Sequence, residues 1–101
     1  MTEHDLMKQI QLEVTNLGGR VFRNNVGRLP DNKGRWVQYG LCVGSGDLIG
    51  WWKGGVFLCI EIKVGKKQPT KEQQNFINEV NNVGGIAFVA RSIEDVYTHL
   101  K

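Results

Sequence analysis

The run of residues 56–64 constrains the fold more than any other part of the chain. Every second residue of this run is a branched aliphatic one, from Val56 to Val64. In a β-strand, successive side chains point to opposite faces, so these residues share one face. The other face carries Phe57, Cys59, Glu61 and Lys63. The run therefore predicts a core strand whose second face holds two charged side chains.

The residues after this strand predict a βαβ unit. Thr70 is a candidate N-cap for a helix over residues 71–83, which Gly84-Gly85 ends. Residues 86–90 are wholly apolar, which is typical of a strand covered on both faces. We therefore expect strands 56–64 and 86–90 to be parallel and joined by a right-handed crossover.

The remaining segments complete an α/β fold in a single domain of 101 residues. Apolar residues recur at helical spacing over residues 2–17, which predicts a helix that ends at Gly18-Gly19. Residues 47–53 are expected to pair antiparallel with 56–64 across Gly54-Gly55, and a last helix follows Ser92. We further expect a strand at 20–26, a loop at 27–35 and an extended piece within 36–43. The predicted order is α-β-β-β-α-β with a C-terminal helix, in a mixed sheet flanked by helices.

Charge is concentrated in the middle of the chain. Residues 20–71 hold ten of the thirteen basic residues and three acidic ones, a balance of +7, while each flanking segment has a balance of −2. A basic middle suits a polyanionic partner such as nucleic acid. The alternative is a lysine-rich solvated surface without a partner.

Other classes of protein are not indicated by the sequence. No apolar run approaches the roughly 20 residues of a membrane span, and the acidic start lacks the apolar segment of a signal peptide. We therefore expect a cytoplasmic protein that does not bind membranes and needs no small-molecule cofactor. Cys42 and Cys59 lack zinc-site spacing and are expected to be buried thiols.

Asp47, Glu61 and Lys63 are the residues that most clearly indicate chemistry. Burying a charge is costly unless it is paired or bound to a metal, and Glu61 and Lys63 interrupt an apolar strand. The predicted hairpin lays Asp47 beside Glu61, where a divalent cation would relieve the repulsion between the carboxylates. Taken alone, Glu61 and Lys63 are better explained as an ion pair on an exposed sheet face, because Glu-x-Lys is a very common tripeptide.

Several motifs together resemble the PD-(D/E)XK nuclease superfamily, and within it the VRR-NUC (virus-type replication-repair nuclease) family. The residues that carry this resemblance are Glu3 early in the first helix, Arg23-Asn24-Asn25, Gly44-Ser45-Gly46-Asp47-Leu48, Glu61-Ile62-Lys63 and Thr70-Lys71-Glu72-Gln73. The resemblance covers nearly the whole chain. Thr70 stands where the family usually has serine, and Lys71 where proline is common.

This resemblance implies a restriction-endonuclease-like fold and a site for Mg²⁺ or Mn²⁺. The expected metal ligands are Asp47, Glu61, the backbone carbonyl of Ile62, and Glu3. Lys63 would position water or stabilise developing charge, and Gln73 would orient the lysine and metal region. Glu3 could instead be an acidic first-turn residue favoured by the helix dipole, and Gln73 could simply complete a capping box with Thr70.

The expected function is a Mg²⁺- or Mn²⁺-dependent DNA endonuclease with little sequence specificity. The resemblance further implies a homodimer that acts on branched DNA such as Holliday junctions, in a bacterial cell or phage-infected host. The alternatives are a non-catalytic nucleic-acid-binding module and a small interaction domain.

Trp51 and Trp52 are adjacent and cannot both face inward, so one of them is expected to contact DNA or a second subunit. The candidate phosphate contacts are Arg20, Arg23, Arg28, Lys33, Arg35, Lys66 and Lys67.

Overall fold

The computed structural model describes residues 1–100. In chain order its elements are α1 (Glu3–Leu17), β1 (Arg20–Arg23), β2 (Gly27–Pro30), β3 (Trp36–Tyr39), β4 (Leu48–Trp52), β5 (Val56–Ile62), α2 (Lys71–Asn82), β6 (Ile86–Ala90) and α3 (Ile93–His99). A short 3-10 turn, Lys53–Gly55, joins β4 to β5. The predicted mixed α/β class with a C-terminal helix is confirmed.

The main sheet is mixed and has the strand order β1-β4-β5-β6. Strands β4 and β5 are antiparallel across the Lys53–Gly55 turn, and β5 and β6 are parallel, as the sequence predicts. Helix α2 connects the two parallel strands. It begins at a capping box in which Thr70 and Gln73 each bond the other's backbone N–H. The βαβ unit is therefore confirmed.

The alternation along β5 divides the core as predicted. Leu58, Ile60 and Ile62 are fully buried in the main cluster, which includes residues of α1 and α3. Cys59 lies on the opposite face and packs with Ile77 and other residues under α2. Because Glu61 shares the face of Cys59, its carboxylate emerges on the α2 side of the sheet.

The prediction of a loop at residues 27–35 is wrong in its first half. Residues 27–30 form β2, which pairs antiparallel with β3 in a separate two-stranded sheet. The turn is closed by Asp31, whose Oδ1 accepts from the backbone N–H groups of Lys33 and Arg35 at 2.8 Å each. A short strand containing glycine and proline gives almost no periodic signal, which is why the sequence did not reveal this hairpin.

Three predicted strands are shorter in the structure, among them the one predicted at 47–53, which spans Leu48–Trp52. Strand β1 ends at Arg23 because Asn24 turns toward the loop before β4. Strand β5 ends at Ile62 rather than at residue 64, although the Lys63 N–H still donates to the Ala90 carbonyl at 3.1 Å.

The two adjacent tryptophans point to opposite faces of the sheet, as expected: Trp52 is buried and Trp51 is 47% exposed. Within residues 1–100, no helix combines the length and apolar character that a membrane span needs.

Candidate active site

Asp47 and Glu61 meet at one end of the β4–β5 pair. Leu48 pairs with Ile60, so Asp47, one residue earlier, lies beside the last residues of β5. Asp47 Oδ2 accepts a hydrogen bond of 2.8 Å from the Ile62 N–H. Both carboxylates face a cavity of about 430 Å³ that is lined by Asn24, Val26, Gly27, Arg28, Val43, Gly44, Ser45, Asp47, Glu61 and Gln73.

Glu61 is the one charged residue buried within the described core, with 3% of its surface exposed. Its Oε1 accepts from Gln73 Nε2 at 3.1 Å and lies 3.6 Å from Lys63 Nζ. Its Oε2 is buried and has no hydrogen-bond partner among residues 1–100. Burial and then the negative charge of Asp47 raise the pKa of Glu61 to about 8, and Lys63 opposes this rise.

Gln73 completes the capping box and also contacts the acidic site, while its predicted role in orienting Lys63 and a metal stays a prediction. Its Oε1 accepts from the Thr70 N–H at 2.8 Å, and its own N–H donates to Thr70 Oγ1, so it caps α2. Its Nε2 simultaneously holds the Glu61 carboxylate. One amide side chain therefore ties the start of α2 to the acidic site.

Asn24 organises the loop that delivers Asp47, a role that the sequence motif did not reveal. Its Nδ2 donates to Ser45 Oγ at 2.8 Å and to the Gly46 carbonyl at 2.9 Å, and its Oδ1 accepts from the Leu41 N–H. Its backbone N–H donates to the Asp47 carbonyl at 2.8 Å. The only sequence signal is that Asn24 lies in a matching motif, because contacts across 17 to 23 residues have no local pattern.

Two glycines let the same loop pack tightly against its neighbours. Gly44 has φ +88°, and a Cβ there would lie 2.6 Å from the Glu72 carbonyl oxygen. A Cβ at Gly46 would lie 2.5 Å from Cys59 Sγ, which accepts the Gly46 N–H. Larger residues at these positions would push the loop, and Asp47 with it, away from β5.

The structure does not bring Glu3 together with Asp47 and Glu61. The Glu3 carboxylate lies 3.8 Å from Lys67 Nζ instead. No cluster of three or more His, Cys, Asp or Glu side chains suited to a metal ion occurs within residues 1–100. A metal at this site would therefore have Asp47 and Glu61 as its side-chain ligands, and a role for Glu3 stays a prediction.

The seven basic residues singled out in the sequence are all exposed. Among them, Arg28 lines the acidic cavity. Two others have acidic partners: Lys67 pairs with Glu3, and Arg35 Nε lies 2.8 Å from Asp31 Oδ2. Arg91, which was not singled out, donates to the Gly65 carbonyl at 3.0 Å and fixes the turn that carries Lys66 and Lys67.

The residues at the site fit a hard divalent cation. Two carboxylates converge, one of them is buried, and one of its oxygens lacks any partner in the described chain. Oxygen ligands of this kind are those that Mg²⁺ and Mn²⁺ prefer. A bound cation would offset the repulsion between the two carboxylates and would provide a partner for the unpartnered Glu61 oxygen.

Comparison with protein families supports the resemblance seen in the motifs. The family model described as the VRR-NUC domain matches residues 4–94. This match covers most of the chain, so the protein belongs to the VRR-NUC family. The chain is thus a nuclease-type nucleic-acid-processing domain, and domains of this kind generally use divalent metals. A search of curated proteins found no match.

The raised pKa of Glu61 predicts that the metal-free protein loses stability as pH rises. The folded state keeps the Glu61 proton up to about pH 8, whereas the unfolded chain releases it near 4.5. Folding is therefore favoured by proton binding at low pH, and this contribution is lost between about pH 5 and 8. In EDTA, we expect the parent to lose about 1 kcal/mol or more over this range relative to Glu61→Gln, roughly 4–8 °C in Tm.

Calorimetry at several pH values provides the measurement, with Glu94→Gln, at an exposed residue of α3, as the matched control. Glu94→Gln should show the same dependence of stability on pH as the parent. Identical slopes for the parent and Glu61→Gln would show that Glu61 titrates normally in the folded protein.

Proposed function

We propose that the protein is a Mg²⁺- or Mn²⁺-dependent endonuclease that hydrolyses phosphodiester bonds in DNA. One observation carries this proposal: the buried Glu61 carboxylate, one of whose oxygens has no hydrogen-bond partner within residues 1–100, belongs to a residue that lines the same cavity as Asp47. A binding module on the same fold is the second candidate. Buried carboxylates that face phosphate would weaken binding, so this arrangement favours a catalytic site.

Asp47 and Glu61 would hold the cation, together with the backbone carbonyl of Ile62. When bound, the cation would activate water and neutralise charge on the scissile phosphate. Lys63 is mostly buried beside Glu61, where its ammonium group can orient water or stabilise the developing charge. Gln73 positions Glu61 and does not contact substrate in this scheme. A contribution from Glu3 would require its carboxylate to leave Lys67.

The exposed basic residues would hold the DNA by its phosphates. Such contacts position a duplex without reading its sequence. These residues lie on strands and turns, and not on a helix suited to the major groove, so we expect little sequence specificity. Binding should also fall steeply with salt concentration.

We further propose a homodimer that cuts branched DNA such as four-way junctions. Cutting two strands symmetrically needs two active sites, and a two-fold dimer supplies them through one self-complementary surface. A candidate surface is the part of the sheet formed by Phe22, Trp51 and Phe57, which are 39–48% exposed. The rings of Phe22 and Trp51 lie 5.7 Å apart. Exposed aromatic clusters of this kind are enriched at protein interfaces.

Removing either carboxylate should abolish cleavage without unfolding the protein. Glu61→Gln and Asp47→Asn each remove a metal ligand and also relieve repulsion, so we expect cleavage to fall by at least about 100-fold. Gln73→Ala should cost about 10- to 100-fold, because Gln73 only positions Glu61. Nicking of branched and linear DNA in Mg²⁺, Mn²⁺ or EDTA measures these rates.

Glu94→Gln again serves as the control and should cut at the parental rate. Parental cleavage by Glu61→Gln or Asp47→Asn would contradict the assigned site. Equal cleavage of junction and linear duplex would reduce the proposal to a general endonuclease.

The dimer prediction concerns the protein without DNA. Light scattering at micromolar concentration should give twice the chain mass of 11.4 kDa. Trp51→Glu should give monomers, because it places a charge in the proposed interface. Trp36→Glu, at an exposed tryptophan on the hairpin, should remain dimeric. A monomer mass for the parent would contradict the dimer, and dissociation by Trp36→Glu instead of Trp51→Glu would place the interface elsewhere.

A further inference from the structure

The β2–β3 hairpin stands apart from the main sheet and borders the acidic cavity. Every residue of β3 is exposed, and so are residues 28–30 of β2. Gly27 and Arg28, at the base of the hairpin, line the cavity with Asp47 and Glu61. Two-stranded hairpins are marginally stable alone, so a solvent-exposed one at this place requires an explanation.

The two faces of the hairpin differ in chemistry. Leu29 pairs with Val37, and these residues share one face with Tyr39. Arg28, Pro30, Trp36 and Gln38 occupy the other face. On that face the Arg28 guanidinium carbon lies 5.6 Å from the centroid of the Trp36 ring. The ring is held by this contact yet is 65% exposed. Arg28 therefore connects an exposed aromatic platform to the wall of the active site.

We propose that Arg28 and Trp36 form a stacking platform for an unpaired DNA base near the scissile phosphate. The proposal rests on the proposed function and adds a contact to an unpaired base beside a branch, gap or flap, which in a four-way junction requires a base at the branch point to unpair. Base–aromatic stacking is independent of sequence because every base has a π-face. The guanidinium orients the ring and supplies positive charge beside two carboxylates that would otherwise repel the backbone.

The position of Trp36 along the hairpin limits how far the contacted base can lie from the scissile phosphate. Trp36 pairs with Pro30, three residues beyond Gly27 at the cavity edge. At about 3.3 Å per residue, this places the Trp36 backbone roughly 10 Å from that edge, which bounds the reach of its ring. The rise of B-DNA is about 3.4 Å per nucleotide, so the contacted base should lie within about three nucleotides of the cut. In an intact duplex the flat surface of such a base is covered, and the ring could not reach it.

Equilibrium binding in EDTA tests the platform without depending on cleavage. The probes are a gapped duplex with 2-aminopurine at one of the first four unpaired positions, and a fully paired duplex of equal length. In the parent we expect 2-aminopurine fluorescence to be quenched at one or two adjacent positions. We also expect the gapped probe to bind more tightly than the duplex.

Trp36→Ala should abolish the quenching and reduce the preference for gapped DNA by about 5- to 150-fold, while duplex affinity changes less than twofold. Trp36→Phe should keep most of both effects. Tyr97→Ala, which removes an exposed ring from α3, is the control and should match the parent. Because Trp36 is exposed, both Trp36 variants should keep the parental Tm.

The platform is contradicted if the parent shows no quenching, or if Trp36→Ala keeps the preference. Loss of the preference in Leu29→Ser and not in Trp36→Ala would place the contact on the other face of the hairpin. A parent that quenches but never cuts would contradict the proposed nuclease activity and leave the platform supported. A parent that cuts while Trp36→Ala keeps its preference would contradict only the platform.

Discussion

The buried carboxylate of Glu61 is the constraint on which the rest of the site depends. A carboxylate within a β-strand and under a helix loses its hydration, and a second carboxylate nearby makes ionisation harder still. Gln73 and Lys63 replace the lost hydration of only one Glu61 oxygen. The other oxygen has no partner in the described chain. A fold selected for stability alone would place an apolar residue there. A cation that completes the site, as we propose, would account for a carboxylate at this buried position.

The neighbouring elements each serve to keep Asp47 opposite Glu61. Asn24 holds both sides of the loop that precedes β4, and Gly46 allows that loop to pack against Cys59. The Asp47 carboxylate is then oriented by the Ile62 N–H. Helix α2 contributes Gln73 from its first turn, where capping already fixes the side chain. The site is therefore assembled from four segments, and backbone contacts determine most of its geometry.

Features that follow from local periodicity could be predicted from the sequence, and features that rest on long-range contacts could not. The alternation in β5 predicted both faces of the sheet, and with the hairpin turn it placed Asp47 beside Glu61. By contrast, the role of Asn24 depends on contacts with residues more than 15 positions away. The β2–β3 hairpin has strands of four residues, one of which contains glycine and proline, and so gives no periodic pattern that separates it from a loop. The Glu3–Lys67 pair depends on how α1 packs, which no motif specifies.

Thermal unfolding with and without divalent cation, in the absence of DNA, tests most directly whether Asp47 and Glu61 hold a metal. A cation that binds only the folded state should raise Tm with increasing concentration, by about 2.7 kcal/mol of stability at 100 times its Kd. We expect Mg²⁺ or Mn²⁺ to stabilise the parent in this way and Glu61→Gln to lose most of the gain. An equal shift in both proteins, or none in the parent, would contradict the assignment of the metal to this site.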